Sequence, residues 1–341
     1  MKYNPINTGL MSFGMSGRIF HAPFLHWHPG FTFYAATERH EKKVNRLYPE
    51  VRSFDTIDAL IQDPEIELIV VNTPNNTHFD FARRALEAGK HVLIEKPFAT
   101  TVAEAEELLD LAKRRGLSAL AYQNRRWDSD FQSVKNIVEK GSLGKLVEVH
   151  FRFDRYKTNI EKKAFKEEPI PGSGLAYNLA PHVLDQVIGL FGQPLRCNKT
   201  TTINRTNSKV DDYVFFHFIY PDNLNVYVWT SLLVARPLPA YVVHGTNGSY
   251  IKDRTDIQEK QLDQGMSPFD EQYGVELPGS EGELTLIDAD GKKSVELVPP
   301  SRGNYSGLYD AVYQQLRHSE AFPVANEHVI YQMKVLEQEN T

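Results

Sequence analysis

Residues 91–98 read HVLIEKPF: the apolar Val92, Leu93 and Ile94 run into the charged pair Glu95-Lys96 and stop at Pro97. A short apolar run of this kind reads as a buried strand. Pro97 has a fixed φ and no N–H for a sheet, so it ends the strand and sets the direction in which Lys96 leaves it. The same pattern recurs through the first 124 residues. Apolar strands at Ile6–Met11, Phe31–Thr37, Ile66–Asn72 and Leu117–Tyr122 alternate with helical stretches at 55–62, 80–88 and 101–115. Thr101 and Glu104 form a capping box, Gly89 and Gly116 are helix stops, and Asp110 and Arg114 are spaced for an i,i+4 ion pair. This alternation predicts a parallel, doubly wound α/β sheet, whose ligands bind at the carboxyl ends of its strands.

Those strand ends carry the polar residues. After the first strand comes Ser12-Phe13-Gly14-Met15-Ser16-Gly17. This is the dinucleotide fingerprint G-x-G-x-x-G with Ser12 at the first glycine. The pattern suits a tight turn, a bare backbone for pyrophosphate to approach and a helix packed close to the strand. The phosphates would then lie on the free N–H groups of the following helix. Glu38 follows the second strand where the fingerprint expects an acid on the ribose hydroxyls, and Arg39 beside it could instead hold a 2′-phosphate. Glu38 argues for NAD, and Arg39 keeps NADP open. The third strand ends in Thr73-Pro74-Asn75-Asn76-Thr77-His78, and Leu117–Tyr122 ends in Gln123-Asn124-Arg125-Arg126-Trp127-Asp128.

Past Leu143-Gly144 the pattern changes. Val147–Phe153, Val210–Tyr220, Leu224–Leu233 and Ala240–His244 read as strands, with Pro221-Asp222-Asn223 as a hairpin turn. Few helices separate them, which predicts a mostly antiparallel sheet with one face to be covered. The domains are placed at 1–124, for the dinucleotide, and 125–341, for substrate and oligomerisation. The aromatic residues Tyr213, Phe215, Phe216, Phe218, Tyr227 and Trp229 suit core or a subunit interface, so a homodimer or homotetramer through this sheet is expected. One long helix, Leu175–Phe191, interrupts the strands. Asn178, His182 and Asp185 sit at i, i+4 and i+7 on one of its faces; Pro181 suits only a first helical turn, so the regular helix is expected to begin near 178–181, with Asn178 at its mouth. Leu308–Arg317 and His328–Glu337 read as closing helices, the last expected to pack back on the first domain.

Composition narrows the function. A formal net charge of -6 without a long basic run leaves no electrostatic footprint for nucleic acid. No run approaches the roughly 18 apolar residues of a membrane helix. Cys197 is the only cysteine, which excludes a disulfide within the chain and fits a reducing compartment. The opening MKYNPINTGLMSFG lacks the charged head and apolar core of a secretion signal. A cytoplasmic protein is expected, without a metal.

Together, SFGMSGRIFHAPF, NTPNNTH, AGKHVLIEKPF, YQNRRWDSDF, GSGLAYNLAPHVLDQ and HGTNGSYIKD resemble the Gfo/Idh/MocA family of nicotinamide-dependent sugar and inositol oxidoreductases. The resemblance covers nearly the whole chain and lies closest to the branch containing scyllo-inositol dehydrogenases. It implies a Rossmann domain followed by an α/β domain with a large open sheet, NAD or NADP as cofactor, and hydride transfer at a secondary alcohol of a polyol or sugar. Lys96 matches the family's EKP lysine, which contacts substrate hydroxyl and nicotinamide ribose. His182 matches the histidine that moves the hydroxyl proton. Asn178 stands where the family usually has Asp, and an amide can hydrogen-bond but cannot carry a charge or a proton. The catalytic candidates are therefore Lys96, His182 and Asn178. Cofactor contacts are expected from Ser12, Gly14, Met15, Ser16, Gly17, Glu38, Arg39, Thr73, Pro74, Asn75, His78, Glu95, Lys96 and Asn124. Substrate contacts are expected from Lys96, Trp127, Arg155, Tyr156, Asn178 and His182. Two other activities fit the same scaffold: a sugar sensor without turnover, and a redox-neutral lyase or glycosidase that returns the hydride.

Overall fold

A computed structural model describes residues 3–160 and 164–341. By Cα proximity the chain forms two units. The first holds Met1–Asn124, Gln258–Tyr273 and Tyr305–Ile330; the second holds Arg125–Ile257, Gly274–Asn304 and Tyr331–Thr341. Of the 125–341 stretch, whose last helix is expected to pack back on the first domain, residues 258–273 and 305–330 group with the first unit.

The first unit is built on strands β1 (Ile6–Leu10), β2 (Phe31–Thr37), β3 (Arg52–Phe54), β4 (Leu68–Val71), β5 (His91–Glu95) and β6 (Ala119–Tyr122). They pair in the order β3-β2-β1-β4-β5-β6, all parallel. This is the Rossmann order, with its crevice at the carboxyl ends of β1 and β4, where the strand order reverses. Leu68, Ile69, Val70 and Val71 are all fully buried, as a strand covered on both faces requires. Between the strands run α1 (Ala22–Trp27), α2 (Val44–Leu47), α3 (Ile57–Gln62), α4 (His78–Glu87) and α5 (Val102–Arg115). The capping box forms: Thr101 Oγ1 accepts the Glu104 N–H at 3.1 Å, and Glu104 Oε2 accepts the Thr101 N–H at 3.2 Å. Gly116, at φ 66°, closes α5 in the left-handed region. Asp110 and Arg114 do not pair; both are exposed, where such a pair gains little over solvation.

The second unit is built on β7 (Leu146–Arg152), β8 (Arg196–Thr202), β9 (Tyr213–Ile219), β10 (Asn225–Ser231), β11 (Tyr241–Gly245), β12 (Gly248–Lys252), β13 (Gly282–Ile287) and β14 (Lys293–Val298). Their order is β14-β13-β12-β11-β7-β10-β9-β8, antiparallel except for the parallel pair β7 and β10. Sequence reasoning missed β8, β12, β13 and β14. β8 reads RCNKTTT with one buried residue, and five of the six residues of β14 are exposed, so neither shows a clean alternation. Helices α6 (Ser129–Lys140), α7 (Ala164–Glu167), α8 (Gly174–Asn178) and α9 (Ala180–Phe191) belong to this unit. α10 (Gln258–Asp263) and α11 (Ser306–His318) belong to the first unit, and α12 (Asn326–Glu337) is divided between the two at Ile330. α6, α8 and α9 lie against the sheet. One face buries Val149, Phe151, Val214, Phe216, Phe218, Val226 and Val228. The opposite face carries half-buried His150, Phe215, His217, Tyr227 and Trp229, with His217 and Tyr227 stacked at 4.6 Å.

Candidate active site

The fingerprint turn is clamped by a residue that sequence reasoning passed over. Asn72, at the end of β4, accepts the Ser12 N–H at 2.9 Å and donates to the Ser12 carbonyl at 2.8 Å. Ser12 Oγ accepts the Gly14 N–H at 3.3 Å, so serine at the first fingerprint position closes the turn with its own side chain. A Cβ on Gly17 would fall 2.2 Å from the Ser12 carbonyl oxygen, so the chain itself demands glycine there. A Cβ on Gly14 would meet only Ser12 Oγ, at 3.4 Å. Nothing in the chain demands glycine at 14, and the open space beside it leaves the backbone bare for a phosphate to approach. Met15 is 52% exposed on the same turn, and Ser16 is half-buried. The residues present therefore fit a dinucleotide pyrophosphate.

The end of β5 is tied to this turn. Glu95 Oε1 accepts the Ser16 hydroxyl at 2.5 Å and the His21 Nε2–H at 3.0 Å, and Glu95 Oε2 accepts the Lys96 N–H at 3.2 Å. Burial alone would raise the Glu95 carboxyl. The hydrogen bonds from His21 and Ser16, with the electrostatic pull of His21 and Lys96, outweigh burial and bring it down to about 2. Glu95 thus works inside the protein, joining two strand ends, and places Lys96 beside the fingerprint turn. The Lys96–Pro97 peptide is cis.

At the ribose corner Glu38 accepts the N–H groups of Lys43 at 3.0 Å and Val44 at 2.9 Å, one on each carboxylate oxygen. It caps α2, a use that competes with the ribose role expected of it. Arg39 is exposed beside it. In the loop after β4, Thr77 Oγ1 donates to Thr73 Oγ1 at 2.7 Å, and Asn75 opens a short 3-10 turn behind Pro74. His78 departs from its expected place at the cofactor. It is 1% exposed, with Nδ1 at 2.8 Å from the Pro97 carbonyl and Nε2 at 2.9 Å from that of Thr73. Burial lowers its pKa, although the two carbonyls favour the charged ring. It holds the Thr73 and Pro97 loops together. Asn124 is buried after β6.

In the second unit the stretch 175–191 is divided, and its regular part, α9, begins at Ala180, inside the 178–181 window that Pro181 predicts. Pro181 has no N–H to give the Tyr177 carbonyl, so the chain breaks at Leu179 (φ -107°, ψ -37°), between α8 and α9. Asn178 ends α8, while His182 and Asp185, three residues apart, both lie on α9. Asp185 accepts a two-pronged contact from Arg126, at 2.7 and 2.8 Å. Gly189 makes room, since a Cβ there would meet Arg126 Cζ at 2.9 Å. His182 is buried, its ring 6.1 Å from that of Phe153. The guanidinium groups of Arg254, Arg125 and Arg155 stand over the Phe153 ring at 4.2, 5.1 and 5.2 Å. Arg155 and Asn178 line one pocket, with Lys157, Lys166, Arg205 and Asp211 on its wall. His182, Trp127 and Tyr156 are not among its lining residues; Trp127 is half-buried, and Tyr156 is 64% exposed. Asp211 accepts the Ala176 N–H of α8 at 2.7 Å, and burial pushes its carboxyl up.

Known proteins share both units. Residues 6–122 match the family described as "Oxidoreductase family, NAD-binding Rossmann fold", and residues 131–251 match the "GFO/IDH/MocA C-terminal domain". An uncharacterized oxidoreductase of Schizosaccharomyces pombe, C115.03, is 37% identical over 98% of this chain and 96% of its own. The scyllo-inositol 2-dehydrogenase (NADP(+)) IolW of Bacillus subtilis is 30% identical over 98% and 93%. The crystal structure of an oxidoreductase from Bacillus cereus superposes with a TM-score of 0.89 at 32% identity, over 97% of this chain and 95% of that one. With its clamped fingerprint turn, its Glu95-Lys96-Pro97 strand end and these relatives over nearly its full length, the chain belongs to the Gfo/Idh/MocA family of NAD(P)-binding oxidoreductases.

Proposed function

We propose that the protein is a dehydrogenase that oxidises a secondary alcohol of a polyol or sugar and runs reversibly, with NADP preferred over NAD. The observation that carries the reading is Lys96, set by Glu95 beside the pyrophosphate turn. The bound nicotinamide would supply the hydride chemistry. Lys96 would stabilise negative charge developing on the substrate oxygen. His182 would take the hydroxyl proton, a task suited to imidazole near neutral pH. Asn178 and Arg155 would orient a hydroxylated substrate, with Trp127 and Tyr156 completing its contacts. The preference for NADP is supported by Glu38, occupied in capping α2, by the exposed Arg39, and by the NADP(+) named for IolW.

The test is the growth of reduced-nicotinamide absorbance with NAD and NADP in turn across inositols and aldoses. Signal with one substrate, faster with NADP, is expected. Silence with every pair, in protein that still binds the dinucleotide, would overturn the dehydrogenase and favour the sensor or the redox-neutral enzyme. Asn178, unable to carry a proton, is the observation that favours those. We also propose that two copies meet through the half-buried aromatic face of the larger sheet, in the cytoplasm. A monomer mass at every concentration would refute the association.

A further inference from the structure

The fingerprint accounts for Gly14 and Gly17 but not for the residues that follow. Gly17–His21 form a π-turn, in which the Ala22 N–H reaches back to the Gly17 carbonyl. Pro23 gives the reason. It has no N–H, and in a regular α-helix its ring would press on the Ile19 carbonyl; a wider turn relieves that contact. The Phe20 carbonyl in this turn accepts two buried phenols, Tyr122 at 2.9 Å and Tyr309 at 2.8 Å. His21 is turned to the interior and fully buried. Its Nε2–H donates to Glu95, its Nδ1 lies 2.8 Å from the Tyr309 hydroxyl, and its ring is 4.4 Å from that of Tyr122.

Filling this space would require only an apolar ring. A polar ring taken fully out of water is tolerated where its nitrogens are matched, and here both are. One match is the carboxylate that also receives Ser16 from the pyrophosphate turn and the Lys96 N–H from β5. We propose that His21 is a positioning residue for hydride transfer: by holding Glu95 against Ser16, it fixes the Lys96 backbone relative to the pyrophosphate turn. The proposal rests on Lys96 being the residue that meets substrate. A displacement near 1 Å at such a residue can lower turnover about a hundredfold.

Three variants separate positioning from filling. In His21→Gln the amide nitrogen reaches the place of Nε2 and keeps the donor to Glu95. In His21→Asn it reaches the place of Nδ1 and keeps the Tyr309 contact. His21→Phe keeps volume alone. The expected result is a fall in kcat of about 10–100-fold in the Asn and Phe variants, with cofactor KM within about threefold and Gln recovering most of the loss. Amide hydrogen exchange at Lys96, measured without substrate, should quicken in Asn and Phe but not in Gln. Equal kcat and equal exchange in Gln and Asn would overturn the proposal, as would losses that only follow Tm. If the wild type turns over no substrate, the dehydrogenase reading fails, and the exchange pattern still decides the role of His21. If His21→Phe does not fold, the Gln and Asn pair carries the comparison.

Discussion

The two sheets use their surfaces differently. In the parallel sheet β4 is buried along its whole length, so both faces belong to the core and only the strand ends remain for chemistry. In the larger sheet β9 and β10 alternate, fully buried on one side and half-buried on the other. The first arrangement places Ser12, Asn72, Glu95 and Lys96 at neighbouring carboxyl ends, each fixed by its strand. The second leaves a broad aromatic face that a further surface can cover. Position along a strand decides what is left uncovered in one sheet, and the side of the strand decides it in the other.

This contrast can be broken or sharpened by substitution. The largest effect is expected at Leu93, fully buried in β5: Leu93→Ala should lower unfolding stability by about 2–5 kcal/mol. A loss below about 1 kcal/mol in urea titration would mean that the parallel sheet is not the tight core described. Next is Lys96→Ala at the end of the same strand. It should reduce kcat by about 100–1,000-fold while dinucleotide binding, followed by fluorescence titration, stays nearly intact. Turnover equal to wild type would remove Lys96 from the chemistry.

Glu95→Gln comes third and depends on pH. The folded carboxyl lies near 2, below its ordinary 4.5, so its contribution is fully present above about pH 4.5 and lost as pH falls toward 2. The gap between wild type and Glu95→Gln should be about 3 kcal/mol at neutral pH and close in that acid window. A gap that stays constant down to pH 3 would contradict the hydrogen-bonded carboxylate. The smallest effect on chain stability is expected on the aromatic face. Tyr227→Ala should cost under about 1 kcal/mol in a dissociated chain yet shift the concentration at which dimers form, as read by sedimentation. A loss as large as that of Leu93→Ala would make this face core.

Much of the first unit was legible because its signals are local. Apolar runs, the Thr101 and Glu104 capping box and the glycines each specify their own surroundings within a few residues. Gly17 was readable as a close approach, although the atom approached, the Ser12 carbonyl, was not. What escaped were partners far apart in sequence. Asn72 meets Ser12 across sixty positions, and His21 meets Tyr309 across nearly three hundred. Glu38 was read by its distance from the glycines, but the N–H groups of α2, a few residues on, claim its carboxylate. In the second unit, helical periodicity put Asn178, His182 and Asp185 on one face. Pro181, which suits only a first helical turn, puts the start of the regular helix near 178–181, and α9 begins at Ala180; the separate short helix α8 before it carries no such marker. β14 could not be read by alternation, because most of its side chains face water.

The division of the chain bears on how the protein is made. The first unit begins at the N-terminus, yet it includes Tyr305–Ile330, and Tyr309 is fully buried beside His21, Phe24 and Tyr122. While the ribosome is still translating the second unit, the nascent Rossmann half lacks Tyr309 and exposes the rings it will cover. Vectorial synthesis therefore leaves a sticky, incomplete dinucleotide domain waiting for residues 305–330, made only after the second unit's strands. An N-terminal fragment ending at Asn124 would be a client for chaperones rather than an autonomous module.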